Sequence, residues 1–211
     1  MFRSSSITTA HGTLWCREWG PRGNDATVLM VGGVGGGFSA PARELYTRLG
    51  DALPSESMSA LHLQYRHPRE LEQCVSDVLE GIRFLKNHGT GRVILIGHSL
   101  GGAVVVNAGL ASPDVSGVIA LSTQLGGMGE VRHLNVPVFF IHGTDDDVLP
   151  AACSVSAWRM ASEPRRLELM DGAGHNLDEA ADEVFDHVHR WILDQEAPPK
   201  ETPIALPSRT A

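Results

Sequence analysis

The chain has 211 residues, 42% hydrophobic and 20% charged, which fits one globular domain able to bury roughly 70% of its unfolded surface. Seventeen basic residues against 25 acidic ones give a formal net charge of −8, arguing against nonspecific binding to nucleic acid or to an anionic membrane. No run approaches ~18 apolar residues, and three scattered cysteines (Cys16, Cys74, Cys153) contain no CxxC pair, so neither a membrane span nor a disulfide framework is expected.

The start, MFRSSSITTAHG, lacks the apolar core of a secretory signal. It is Ser-rich and carries Arg3, as transit peptides do, but it reads better as a surface strand of a cytoplasmic protein. Ile7 to Trp19 suggests an antiparallel hairpin turning at His11-Gly12. TVLMVGG (27–33) is an apolar run ending in glycines, as a buried strand should be. Residues 41–50 carry Ala42, Leu45, Tyr46 and Leu49 on one helical face, and 58–65 reads as a second central strand. From 69 to 88, Leu71, Val75, Val78, Leu79, Ile82 and Leu85 mark an amphipathic helix.

RVILIG (92–97) shows no polar alternation, so both its faces should be covered. A helix at 100–111 and strands at 115–122 and 136–143 follow. Then come a helix at 150–161, a strand at 165–170 and a last helix at 178–194. Such βαβα alternation predicts a mostly parallel, doubly wound α/β sheet with helices on both faces. The domain is expected to span residues 1–195. Residues 196–211, with four prolines, read as a flexible tail.

Chemistry concentrates in three places. Gly97-His98-Ser99-Leu100-Gly101 sits between a buried strand and a helix. Its sharp turn would strain and expose the serine, with glycines where side chains would clash. A serine hydroxyl needs a base, and His175, on the glycine-rich DGAGHN segment after the last strand, is well placed to reach it. That base needs an orienting carboxylate. Asp145-Asp146-Asp147 follow the preceding strand; Asp146 is the choice and Asp145 the reserve.

The order Ser99, Asp146, His175 and the HGxxD…P pattern at 142–150 resemble the α/β-hydrolase superfamily, over roughly residues 5 to 194. The resemblance implies a small serine esterase or thioesterase working through an acyl-enzyme on Ser99, with no metal or organic cofactor. The Leu100 N–H would be one oxyanion donor and the Val34 N–H the other, with Gly35 as alternative. The family often has His-Gly where this chain has Gly32-Gly33. Five glycines in six residues also suggest that this segment orders only around substrate.

Many relatives insert a helical cap before the acid strand. Residues 123–135 leave no room for one, so the site should be open, with no large lid. Phe38, Leu125, Met128 and Leu149, together with Leu100 and Val148, are the expected pocket walls for a small-molecule ester or thioester. Two other readings stay open: a noncatalytic binding protein on this fold, and an acyltransferase or lyase using the same triad.

The remaining signals are weaker. Gly35 to Ala40 fits a dinucleotide turn by spacing, but no acid follows at the required distance. His187 and His189 point apart on a helix and make a poor metal pair. Cys153 lies near the acid, but Ser99 already fills the nucleophile's place. Arg66 ends a strand on the site's side, either to hold a substrate carboxylate or, better, to brace its loop.

Overall fold

The computed structural model describes residues 1–195; the tail expected at 196–211 lies outside the described residues. One eight-stranded sheet runs through them, built from β1 (Arg3–Thr9), β2 (Gly12–Trp19), β3 (Ala26–Val31), β4 (Ser59–Gln64), β5 (Arg92–His98), β6 (Val115–Leu121), β7 (Val138–Gly143) and β8 (Arg165–Met170). The spatial order is β1-β2-β4-β3-β5-β6-β7-β8. β1 and β2 form the expected antiparallel hairpin, β2 is antiparallel to β4, and every later pairing is parallel.

Among the described residues five helices cover the sheet: α1 (Pro41–Ala52), α2 (Leu71–Asn87), α3 (Leu100–Ala111), α4 (Ala152–Met160) and α5 (Ala181–Asp194). Successive strand residues point to opposite faces, and the core divides accordingly. Leu29, Val31, Leu61, Leu63 and Leu95 meet Val78 and Ile82 of α2 and Val104 and Val105 of α3. Val28, Met30, Ile94, Ile96 and Ile141 meet Leu45 and Leu49 of α1 and Val184 and Val188 of α5 on the other face. α3 has no polar stripe because both its sheet side and its α2 side are covered.

The segment between β6 and β7 holds one 3-10 turn, Val131–His133, and no lid. No helix among the described residues is long and apolar enough to cross a membrane.

α1 departs from a regular helix. Ala42, Arg43 and Glu44 have φ of 49°, 50° and 63°, a left-handed run that non-glycine residues rarely adopt. Tertiary contacts over-determine it. The Ala42 N–H donates to the Asn176 carbonyl at 2.6 Å, and the Arg43 N–H donates to Asp178 Oδ1 at 2.9 Å.

Arg66 proves to be a brace. Its backbone N–H and its Nε donate to the two carboxylate oxygens of Asp77, at 2.9 and 2.7 Å, and Nη2 joins them. Asp77 is fully buried on α2, so the pair ties the end of β4 to that helix. Removing one member of such a pair strands the other charge in low dielectric. Asp77→Asn is expected to lower unfolding free energy by about 3 kcal/mol, read as a reduced urea midpoint at constant m-value. An unchanged midpoint would show that the pair is solvated.

Candidate active site

β5 passes into α3 with backbone packed on backbone. A Cβ at Gly97 would overlap the Gly101 carbonyl, and a Cβ at Gly101 would overlap the Gly32 carbonyl. Within this turn Ser99 takes φ 59° and ψ −121°, a strained conformation for a residue with a side chain. Neighbouring strands hold it there. The Ser99 N–H donates to the Leu121 carbonyl at 2.9 Å, and Thr123 Oγ1 donates to the Ser99 carbonyl at 3.4 Å. Leu100 opens α3, so its N–H has no acceptor within the helix and lies at the positive end of the helix dipole.

Asp146, after β7, is the most heavily hydrogen-bonded carboxylate of the site. Its Oδ1 accepts from the Val148 and Leu149 N–H groups at 2.9 and 2.8 Å. Its Oδ2 accepts from His175 Nδ1 at 2.8 Å and from His142 Nε2 at 3.0 Å. Asp145 and Asp147 are exposed, so among the three consecutive acids Asp146 is the one that holds His175. Burial pushes its carboxyl pKa up, but the Leu149 N–H, His175 and the Val148 N–H outweigh burial and hold it below the usual range.

The second histidine on that carboxylate was not read from the sequence. His142 is fully buried, and its Nε2 also lies 2.9 Å from the Leu149 carbonyl. A carbonyl only accepts, so Nε2 carries a proton. Burial lowers the pKa of this ring and keeps it neutral, so Nδ1 accepts the Ser154 hydroxyl at 2.6 Å. The HG pair of the acid motif was the available signal, but ten histidines in the chain diluted it.

His98, beside Ser99, links the serine turn to the histidine segment. Its Nε2 donates to the His175 carbonyl at 3.0 Å, and the two rings lie 4.9 Å apart. Both Ser99 and His175 line one cavity of about 220 Å³. Among the described residues no hydrogen bond closes between the Ser99 hydroxyl and the His175 ring; such contacts often tighten only around substrate.

The cavity differs from the expected one. Its walls are Gly33, Val34, Gly35, Ser39, Ala40, Pro41, His98 and Asn176 with Ser99 and His175. Met128 cannot serve as a wall, because it is wholly buried in the core beside α3. Leu125 and Val148 are exposed outside the cavity, and Leu149 turns its backbone to Asp146 and His142. Phe38 is not among the walls and packs against His62 and Arg17. Val34 and Gly35, the expected oxyanion segment, do face Ser99 across the cavity. Elsewhere, His187 faces Glu183 and Arg166, while His189 stacks on Phe185. Among the described residues no three His, Cys, Asp or Glu side chains are placed to share a metal ion.

A family model for phospholipases and carboxylesterases matches residues 69–189, more than half of the chain. The chain belongs to the phospholipase/carboxylesterase family. It is thus an α/β-hydrolase by descent as well as by architecture, and a hydrolase. An uncharacterised protein of Mycobacterium tuberculosis strain H37Rv is 26% identical, over 82% of this chain and 71% of its own. Est1E from Butyrivibrio proteoclasticus superposes with a TM-score of 0.79 at 17% identity, over 92% of this chain and 99% of its own. A dienelactone hydrolase from Anabaena variabilis gives 0.79 at 17%, over 92% and 97%. At such identities these two structures speak for the fold alone.

Buried histidines give this carboxylesterase-family chain a defined acid limb. Burial pushes His98 down to about 4 and His62 down to about 3 from an ordinary 6.5, and it lowers His142 as well. Below pH 6.5 the unfolded chain gains protons that the folded one refuses, so stability is whole above that pH and falls as pH drops towards 3. Denaturant midpoints should hold steady from pH 8 to 7 and decline below 6.5. His62→Phe should make the decline shallower; an identical acid limb would show that His62 is solvated.

Proposed function

We propose that the chain hydrolyses small, uncharged carboxylic esters or thioesters through an acyl-enzyme on Ser99. The observation that carries this reading is a strained serine at the head of a buried helix, sharing a cavity with a histidine whose far nitrogen is held by a buried carboxylate. With Nδ1–H fixed on Asp146, Nε2 is the nitrogen free to accept the serine proton.

His175 takes that proton as Ser99 Oγ attacks the carbonyl carbon. The oxyanion forms beside the Leu100 and Val34 N–H groups. As the intermediate collapses, the carbon–oxygen or carbon–sulfur bond breaks and His175 protonates the departing alcohol or thiol. Water, deprotonated by the same histidine, then attacks the acyl carbon; the bond to Ser99 Oγ breaks, the acid leaves, and His175 returns the proton to Oγ. None of these steps calls on a metal or an organic cofactor.

Two features bear on substrate class. About 220 Å³ is below the 300–1,000 Å³ of pockets that enclose drug-sized ligands, which suits a short acyl group. Among the described residues no Lys, Arg, Asp or Glu lines the cavity, so an anionic substituent next to the scissile bond would find no partner there. Est1E, which shares the fold, has been solved with ferulic acid bound.

Fluorophosphonate labelling and p-nitrophenyl acetate turnover test the proposal. Ser99→Ala should abolish labelling, and His175→Ala should cut turnover by about 10⁴-fold or more, both variants keeping the wild-type melting point. A folded wild type that neither labels nor turns over ester would overturn the hydrolytic reading in favour of a binding role. Products trapped on an added alcohol in preference to water would instead point to acyl transfer.

A further inference from the structure

The segment that carries Val34 has little of its own to hold it. Between Gly32 and Gly37 five of six residues are glycine, and Gly36 and Gly37 have φ of 66° and 64°. Its own hydrogen bonds are internal: the Gly36 N–H donates to the Gly33 carbonyl at 3.2 Å, and Ser39 Oγ donates to the Gly36 carbonyl at 3.3 Å. Neither ties it to the sheet.

Phe38 does. Its ring and that of His62 of β4 form a T-shaped pair, with centroids 5.2 Å apart and planes at 78°. The Arg17 guanidinium of β2 lies over the Phe38 ring, 4.4 Å from its centroid. His62 in turn meets Tyr46 of α1 edge-on at 4.9 Å, and the Tyr46 hydroxyl donates to the carbonyl of Val31, the last residue of β3. The circuit therefore starts where the glycine segment leaves the sheet and closes where that segment ends.

Two details exceed ordinary packing. Arg17 makes no ion pair among the described residues, in a chain of net charge −8, so its cation faces ring π-electrons instead. Both ring nitrogens of His62 lack a hydrogen-bond partner although the residue is 1% exposed, so what the imidazole offers there is its T-shaped contacts with Phe38 and Tyr46. Such a buried, unpaired polar ring is costly and calls for an explanation.

We propose that Arg17, Phe38 and His62 form a clamp that positions the Val34 segment, so that its backbone N–H groups meet the oxyanion. Arg17 and Phe38 are then positioning residues, and neither touches substrate. This rests on the hydrolytic reading above and goes beyond it by naming what preorganises a segment whose sequence favours disorder. Transition-state stabilisation depends on donors already in place, so loosening the clamp should lower kcat more than it raises KM.

Hydrogen–deuterium exchange across residues 32–40 tests the clamp without any turnover. Kinetics with p-nitrophenyl acetate test its purpose. Four full-length proteins are compared: wild type, Phe38→Ala, Phe38→Tyr and Arg17→Met. Phe38→Ala and Arg17→Met should each speed exchange in this segment by about tenfold. They should lower kcat by about tenfold or more with KM within about twofold and the melting point held. Phe38→Tyr, which keeps the ring, should restore both. Unchanged exchange in Phe38→Ala and Arg17→Met would overturn the clamp, and faster exchange with wild-type kcat would overturn its catalytic role. A wild type without turnover would defeat the hydrolytic reading and the catalytic role with it, while exchange would still decide whether the clamp holds the segment.

Discussion

Where β5 turns into α3, main chain rests directly on main chain: neither Gly97 nor Gly101 has room for a Cβ, and the second of them lies against the end of β3. That close approach leaves Ser99 a left-handed backbone as the way to make the turn. The strain persists because the surrounding sheet outweighs it, with Leu121 and Thr123 of the β6 side holding the serine's peptide groups. The helix that follows carries no polar stripe, with Asn107 its one polar side chain, because it lies between the sheet and α2. Local geometry and global packing here are one constraint seen at two scales.

Electrostatics are arranged around the same point. Asp146 accepts four hydrogen bonds, two from its own turn and two from histidines, so its charge is held without a basic side chain nearby. His142 and His98 are both kept neutral by burial, and each donates to a group that carries His175 or its partner. The left-handed run at Ala42–Glu44 adds a mechanical tie, since its amide and that of Arg43 hold the segment just past His175. Strain and desolvation are thus concentrated where the loops meet.

Much of this was legible in the sequence because it follows from short-range rules. Apolar runs without alternation announced the central strands, and the Gly-x-Ser-x-Gly setting between strand and helix announced the turn at Ser99. The cavity walls were not legible. Met128 is as apolar as a pocket residue should be, but the turn at 131–133 folds it into the core. Ala42, Arg43 and Glu44 carry no sign of a left-handed backbone, because contacts from the distant residues Asn176 and Asp178 impose it. The shared carboxylate at Asp146 was hidden for a like reason: which of several histidines and aspartates meet depends on how β7 and β8 align.

With a single 3-10 turn between β6 and β7, nothing in that connection has to swing aside, among the described residues, before a molecule reaches the cavity at Ser99. On the proposed reading a droplet or micelle surface finds no trigger in this connection, since among the described residues it carries no cover whose opening an apolar interface could favour. On the hydrolytic reading proposed above, the protein's rate should climb smoothly with dissolved ester and level off at the solubility limit, without the jump that a covered site shows when its substrate first aggregates.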